Sequence, residues 1–287
     1  IAKKKGYKLN EYGLFEEERL IKCGDEADVY RKLDLDYVPP ELREDNGEVE
    51  AASSGQLPRL IELNDMRGAF HIHTDYSDGV DSLEKIVETA KRMGLSYIGI
   101  SDHSKTAAYA GGLKTDKILR QWEIIDQLNR NAPTFRIFKG IESDILSDGS
   151  LDYDEDILRG FDFVIGSVHS QFNLPKEEQE RRIVNAMKNP YMTMLGHPTG
   201  RLLLSRDGYD VDMRTIIDAA AETRTIIELN ASPYRFDIDW RCMKYAKEKG
   251  VMVSINPDAH SAAGLGEIAY GVDMARKGWQ EPADILN

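Results

Sequence analysis

The histidines of this chain follow a pattern that is typical of a metal site. There are only six of them in 287 residues, and each lies at or just after the carboxyl end of a predicted β-strand. They are His71, His73, His103, His169, His197 and His260. His71 and His73 are separated by one residue, so on a strand both imidazoles would project from the same face and could bind one ion. A single histidine in such a place is as often an ordinary hydrogen-bonded residue, but the set as a whole predicts a metal centre.

Carboxylates occupy equivalent positions. Glu142 lies in KGIESDI, Asp78 lies in HIHTDYSDG, and Asp258 precedes His260 by two residues after the last predicted strand. None of these motifs contains cysteine, and histidine with carboxylate ligands suits zinc, manganese or iron better than calcium or magnesium. Four further aspartates near the same motifs are expected only to form turns and caps: Asp75, Asp102, Asp144 and Asp148.

The elements that would position these side chains alternate between strands and helices. Seven strands are predicted, near Ala69–His73, Tyr97–Asp102, Arg136–Glu142, Phe163–His169, Met192–Gly196, Ile226–Asn230 and Met252–Asn256. Helical periodicity separates them, for example from Ser82 to Gly94 and from Asp116 to Asn131. This α/β alternation predicts a distorted, TIM-like (β/α)7 barrel, in which the carboxyl ends of the strands converge on one rim. An open doubly wound sheet is the alternative.

The first 65 residues differ in composition from the rest. They contain a run of lysines from Lys3 to Lys5, the pair Pro39-Pro40 and an acidic, turn-rich stretch that ends at Gly55. This composition predicts a small subdomain and linker over residues 1–65, followed by one larger domain over residues 66–287. Because the chain starts at Ile1 and its first segment reads like interior sequence, we expect a C-terminal fragment of a longer protein.

The charge and the cysteines restrict partners and compartment. The formal net charge is −13, whereas broad attraction of nucleic acid normally requires an excess of lysine and arginine. Any nucleic acid must therefore be bound by local basic groups, by metals or by a region outside this chain. Cys23 and Cys242 are far apart and form no CxxC motif, which argues against a disulfide framework. With no apolar run of roughly 18 residues and no secretion signal, we expect a cytoplasmic protein without membrane association.

The motifs resemble those of the PHP family, named for polymerase and histidinol phosphatase. HIHTDYSDG is similar to its first motif, SDHS to its second, GIESDI and SVHS to its middle motifs, and GHPTGR and PDAH to its last. The similarity extends from about Arg67 to the end of the chain and keeps the family's order. One departure is Asn256-Pro257 before Asp258, where the family pattern leads us to expect Ser-Thr.

The resemblance implies a site for two or three divalent metals. One ion would be bound by His71, His73, Glu142 and Asp258. Glu142 would bridge to a second ion, which His169 and His197 would also bind. Asp78, His103 and His260 would bind a third.

The same resemblance assigns catalytic roles. Two metals bridged by Glu142 would lower the pKa of a bound water and bind the oxygens of an in-line displacement at phosphorus. A nearby cation would steady the leaving oxygen, and Arg201 in GHPTGR is the first candidate, ahead of Lys105. A guanidinium suits a structural ion pair equally well, so both roles remain open for Arg201.

The first 65 residues indicate the branch of the family. GYKLNEYGLF and YVPPELREDNGEVEAA resemble the end of the thumb of prokaryotic family X DNA polymerases and its linker to the PHP domain. In those enzymes the PHP domain is associated with manganese-dependent 3′→5′ exonuclease, 3′-end-cleaning or abasic-site activity. The resemblance therefore implies hydrolysis at DNA 3′ ends during repair, with the polymerase domain of the same full-length chain as partner.

Three alternatives remain. The chain could be a small-molecule phosphatase of the histidinol-phosphatase type, or a non-catalytic metal-binding structural module of a polymerase. Amidohydrolases share the HxH start but use their metals on C–N bonds, and a phosphodiester assay distinguishes them.

Overall fold

The computed structural model describes residues 1–287 and divides them into two compact units, Ile1–Arg59 and Leu60–Asn287. The division falls slightly before the one that composition predicts after residue 65. The reason is that Leu60 and Ile61 are already buried, Ile61 within the main hydrophobic core of the second unit. The Ile61 amide also donates a hydrogen bond to the carbonyl of Gln280, at 3.0 Å.

The first unit is a small mixed subdomain. Its elements are a 3-10 helix (Ala2–Lys5), β1 (Tyr7–Asn10), β2 (Gly13–Glu16), β3 (Arg19–Leu20), α1 (Glu26–Lys32), a second 3-10 helix (Pro40–Leu42) and α2 (Glu48–Ser54). The three strands form an antiparallel sheet in chain order, and Leu14 on β2 is fully buried. Asp25 caps α1 by accepting a hydrogen bond from the Asp28 amide, at 2.8 Å. The sequence predicted a subdomain here but not its strands, because most strand residues are exposed or half-buried and lack a clear alternation.

The second unit contains a parallel sheet of seven strands. They are β4 (Gly68–Ala69), β5 (Tyr97–Ile100), β6 (Arg136–Asp144), β7 (Phe163–Ser167), β8 (Met194–Leu195), β9 (Ile226–Asn230) and β10 (Val253–Asn256). Neighbours in the sheet are also neighbours in the chain. All seven predicted strands are present, and this confirms the α/β architecture.

The first and last strands are joined at the carboxyl rim. The His73 amide donates to the Ala259 carbonyl at 2.8 Å, and the Ala259 amide donates to the His71 carbonyl at 3.2 Å. These bonds connect the segment after β4 to the segment after β10. The sheet is therefore a near-barrel and not an open doubly wound sheet, because the latter would leave these two edges apart.

Helices follow the strands as crossover connections. They are α3 (Leu83–Arg92), α4 (Thr115–Asn131), α5 (Glu155–Leu158), α6 (Lys176–Met187), α7 (Met213–Thr223), α8 (Trp240–Glu248) and α9 (Ile268–Lys277). Short 3-10 helices lie at Leu63–Asp65, Ala108–Ala110, Ala263–Glu267 and Pro282–Asp284. Side chains of Ser82, Asp212 and Asp239 cap α3, α7 and α8. None of the helices combines the length and apolar character needed to cross a membrane.

A cluster of apolar side chains packs against the sheet on the face that carries the site. It consists of Phe70, Phe163, Ile165 and Met194, and the ring centroids of Phe70 and Phe163 are 4.8 Å apart. Gly99 on β5 and Gly140 on β6 make room for it, because a Cβ atom at either position would collide with the ring of Phe163. Glu142 follows Gly140 by two residues and lies on the same face of β6. The cluster therefore packs next to that carboxylate.

We expect Gly140→Ala to lower the free energy of unfolding by about 1–3 kcal/mol, because the added methyl group must displace the Phe163 ring. Urea denaturation followed by circular dichroism measures this. The matched control is Gly266→Ala, where an added Cβ meets open space and the change should stay below about 1 kcal/mol. Equal stability of Gly140→Ala and the parent chain would contradict this packing.

Candidate metal centre

The histidines predicted from the sequence lie together at the carboxyl rim of the barrel. His71 and His73 follow β4, and their ring centroids are 5.2 Å apart. The regular strand has ended before them, and His71 has a φ of 56°, so the period of two is not what places both rings on one side. Asp258, after β10, has a φ of 51°. Left-handed backbone at non-glycine residues is rare and concentrates at functional sites.

Glu142 occupies the middle of the cluster. Its Oε1 atom lies 3.0 Å from His197 Nε2, 3.1 Å from His169 Nε2 and 3.2 Å from His71 Nε2. Its Oε2 atom lies 2.9 Å from His103 Nδ1. Only 1% of Glu142 is exposed, so the charge of this carboxylate is compensated by imidazoles and not by solvent.

Two aspartates connect the remaining histidines. Asp258 Oδ1 lies 3.2 Å from His73 Nε2 and 3.4 Å from His71 Nε2. Asp78 lies 3.5 Å from both His103 and His260 through different oxygens. The structure thus brings all nine predicted side chains into one continuous cluster.

A second set of groups orients these rings. Glu228 Oε1 lies 2.5 Å from His71 Nδ1, and its Oε2 accepts a hydrogen bond from the His197 amide at 2.7 Å. Asp144 Oδ1 lies 2.5 Å from His169 Nδ1. Such partners fix the ring orientation and raise the basicity of a metal-binding nitrogen.

The role of Glu228 was not predicted from the sequence, and Asp144 was expected only to form a turn or a cap. The signal for Glu228 is an acidic residue in the middle of the apolar strand IIELN, where an unpaired charge would be costly. Asp148 does behave as expected, since its side chain accepts a hydrogen bond from the Ser150 amide at 2.9 Å.

For most of these groups, burial shifts the pKa in one direction and the neighbouring opposite charges shift it in the other. Burial alone disfavours the charged form of each. The pKa of Glu142 is nevertheless held well below its usual range, because neighbouring imidazoles such as His169 and His103 outweigh its burial. Although burial opposes it, the charge of Glu142 raises the pKa of His103 to about 10 and that of His169 to about 9. The pKa of His197 falls to about 4, because burial and the charge of Arg235 dominate.

The donor atoms fit divalent metals. Several are buried without a hydrogen-bonding partner, among them His71 Nε2, both ring nitrogens of His73 and Glu142 Oε2. Such atoms are costly unless they meet a partner, and a cation can supply one. Four overlapping groups have ligand atoms within 4.8 Å of one another: His73, Asp78, His103 and His260; His71, Glu142 and His197; His71, His73 and Asp258; His103, Glu142 and His169. The nitrogen and oxygen donors suit zinc, manganese or iron.

The predicted catalytic cations lie in different surroundings. Arg201 donates to the carbonyl of Arg235 at 2.8 Å, to the carbonyl of Phe236, and to Asp239 at 3.0 Å. These contacts favour the structural ion pair over a role at phosphate. The ammonium of Lys105 lies over the ring of Tyr153. Arg235, which was not predicted from the sequence, lines the metal pocket, a cavity of about 190 Å³.

A parallel barrel that presents a cluster of histidines and carboxylates at its carboxyl rim is the architecture of a metal-dependent hydrolase. The family model of the PHP domain matches residues 69–232. The chain therefore belongs to the PHP domain family and is a metal-dependent phosphoesterase. The model of the DNA polymerase beta thumb matches residues 1–44.

Relatives of known name agree with this assignment. The chain is 40% identical over its whole length to the DNA polymerase/3′-5′ exonuclease PolX of Bacillus subtilis and spans 50% of that protein. It is 31% identical to a probable phosphatase of Caldanaerobacter subterraneus subsp. tengcongensis, over 71% of this chain and 80% of the relative. The fold resembles that of histidinol phosphate phosphatase from Lactococcus lactis, solved with zinc, L-histidinol and phosphate. That likeness has a TM-score of 0.55 at 17% identity and covers 73% of this chain and 93% of the other.

Metal binding should release protons and weaken as the pH falls. The pKa values of His103 and His169 are raised, so both rings carry protons below about pH 9, and a metal must displace them. We expect the affinity for Mn²⁺ or Zn²⁺ to fall at least about tenfold per pH unit between pH 8 and pH 6. Isothermal titration in two buffers of different ionisation enthalpy measures both affinity and proton release. Binding that is independent of pH and releases no proton would contradict the arrangement of the cluster.

Proposed function

We propose that this chain hydrolyses phosphodiester bonds at DNA 3′ ends, as a 3′→5′ exonuclease or 3′-end-processing activity in repair. The site would bind two or three divalent metals, among manganese, zinc and iron. A polymerase domain of the same full-length protein would be its partner, and its compartment would be the cytoplasm. The observation that carries the proposal is the position of Glu142, whose two oxygens face different histidines within one buried cluster.

When bound, the metals would supply an activated water and electrostatic stabilisation of the phosphoryl oxygens. Glu142 would be a ligand of more than one of them, since its two oxygens face different histidines. Its Oε1 faces His71, His169 and His197, and its Oε2 faces His103. Glu228 and Asp144 would keep the rings of His71 and His169 in orientation. Burial would exclude bulk water from these groups and so strengthen their electrostatic interactions.

DNA is favoured as substrate by the first unit of the chain. Residues 1–44 match a polymerase thumb, and the PolX relative is named as a 3′-5′ exonuclease. The net charge of −13 would repel DNA at a distance. The polymerase domain proposed as its partner would therefore hold the nucleic acid and raise the local concentration of 3′ ends. Arg201 as a cation at the leaving oxygen stays a prediction, since its present contacts are structural.

A small-molecule phosphatase is the second candidate. The observation in its favour is the similarity to proteins named probable phosphatases, of which the chain covers 80% in the case from Caldanaerobacter. A non-catalytic structural module is less well supported. The nine donor side chains lie together, and several of their polar atoms are buried without a hydrogen-bonding partner. Metal binding explains this arrangement, because a cation would supply the partner that these atoms lack.

With added Mn²⁺, we expect the purified chain to shorten a 5′-labelled oligonucleotide stepwise from its 3′ end. Glu142→Gln should reduce this rate at least about 100-fold, because an amide cannot bridge two cations as a carboxylate does. Denaturing gel electrophoresis of timed samples measures the rate, and circular dichroism checks that the variant is folded.

The matched control is Glu222→Gln, which makes the same chemical change at an exposed position on α7 and should keep the parent rate. A Glu142→Gln variant with the parent rate at equal Mn²⁺ would disprove the bridging role. Hydrolysis of small phosphomonoesters without any shortening of DNA would instead favour the small-molecule phosphatase.

A further inference from the structure

An arginine at the rim of the barrel has no acidic partner. The guanidinium of Arg206 donates to the carbonyl of Gly200 at 2.8 Å and lies over the ring of Phe172, 4.2 Å from its centroid. No carboxylate lies within ion-pair distance of it, in contrast to Arg201, which meets Asp239. Arg206 is exposed and lines a shallow pocket of about 410 Å³ formed by the segment from Arg201 to Gly208.

Arg206 contacts the two loops that carry His169 and His197. The Gly200 amide donates to the carbonyl of His197 at 2.8 Å, so Arg206 is bonded to the turn that directly follows that ligand. Phe172 lies on the loop that begins at His169. Arg206 therefore connects the rim segments after β7 and β8.

A second arginine lies on the adjacent loop. The loop that contains Arg206 is bonded to the loop that contains Arg235, through the Leu203 amide and the Tyr234 carbonyl at 2.7 Å. Arg235 lines the metal pocket, and its Nε lies 3.4 Å from Asp258 Oδ2. Burial, and after it the charge of Arg235, lower the pKa of Arg206.

Two neighbouring guanidinium groups repel each other unless an anion lies between them, and planar guanidinium suits phosphate oxygens. Their only carboxylate contact is Asp258, which is itself one of the nine candidate metal ligands. The chain as a whole has a net charge of −13, so two arginines on adjacent loops at the rim do not reflect an excess of basic residues. The scissile phosphate would be bound at the metals, so the pair is available to a different phosphate.

We propose that Arg206 and Arg235 form a subsite for a second phosphate, the phosphodiester on the 5′ side of the scissile one. This rests on the proposed function and deepens it, because such a subsite selects chains of at least two phosphodiesters over substrates with a single phosphate. Arg206 is the member to test, since it contacts none of the nine metal-site side chains, whereas a change at Arg235 would also disturb Asp258.

The experiment measures how short oligonucleotides inhibit hydrolysis of bis(p-nitrophenyl) phosphate, a small phosphodiester, by the Mn²⁺-loaded chain. The inhibitors are a thymidine dinucleotide with one phosphodiester, a trinucleotide with two, and the same trinucleotide with a neutral methylphosphonate at its 5′-side linkage. For the parent chain we expect the trinucleotide to inhibit about tenfold more strongly than either of the others. In Arg206→Gln the three inhibition constants should become equal within about twofold.

The three inhibition constants are compared within each variant, so an effect of the substitution that weakens all three inhibitors equally does not alter their ratio. Arg120→Gln, an exposed arginine on α4, is the control and should keep the tenfold preference. Retention of that preference in Arg206→Gln, or its absence in the parent chain, would overturn the subsite.

Chromatography of the same mixtures tests the proposed function separately, by the release of thymidine nucleotides from the 3′ end. An Arg206-dependent preference without any such release would contradict the exonuclease activity but support the subsite. Release of nucleotides without the preference would support the exonuclease activity but contradict the subsite.

Discussion

The contact between one buried carboxylate and its imidazoles is the interaction on which the site depends. Glu142 is almost completely removed from water and lies within 3.2 Å of nitrogens from four histidines. A buried charge is tolerated only with close partners of opposite charge. Protons on the imidazoles fill that role in part, and divalent cations would fill it better because they also satisfy the buried nitrogens that lack hydrogen bonds.

The barrel meets this constraint by bringing strand ends together. The ligands come from segments after five of its seven strands and from the end of β6. Backbone bonds between the segments after β4 and β10 join the first ligands to the last. On the same face of β6, the ring of Phe163 fills the space that Gly99 and Gly140 leave open. β6 therefore links the packing of the Phe163 ring at Gly140 to the position of the Glu142 carboxylate among the histidines.

The sequence was informative wherever residue type and strand position coincide. The seven strands could be predicted because each is a short apolar run, and histidines at their ends are rare enough to be conspicuous. The sequence could not show that β4 ends before His71, because the left-handed turn there depends on tertiary contacts. Arg235 was missed and Arg201 was preferred, since the sequence does not show that Arg201 meets loop carbonyls whereas Arg235 meets the carboxylate of Asp258.

Metal content tests the central claim most directly. We expect the purified chain, after exposure to Mn²⁺ or Zn²⁺ and dialysis, to retain two to three ions by elemental analysis, and we expect Glu142→Gln to retain fewer. Less than about one ion per chain, with no uptake from added metal, would contradict a site built around a bridging carboxylate.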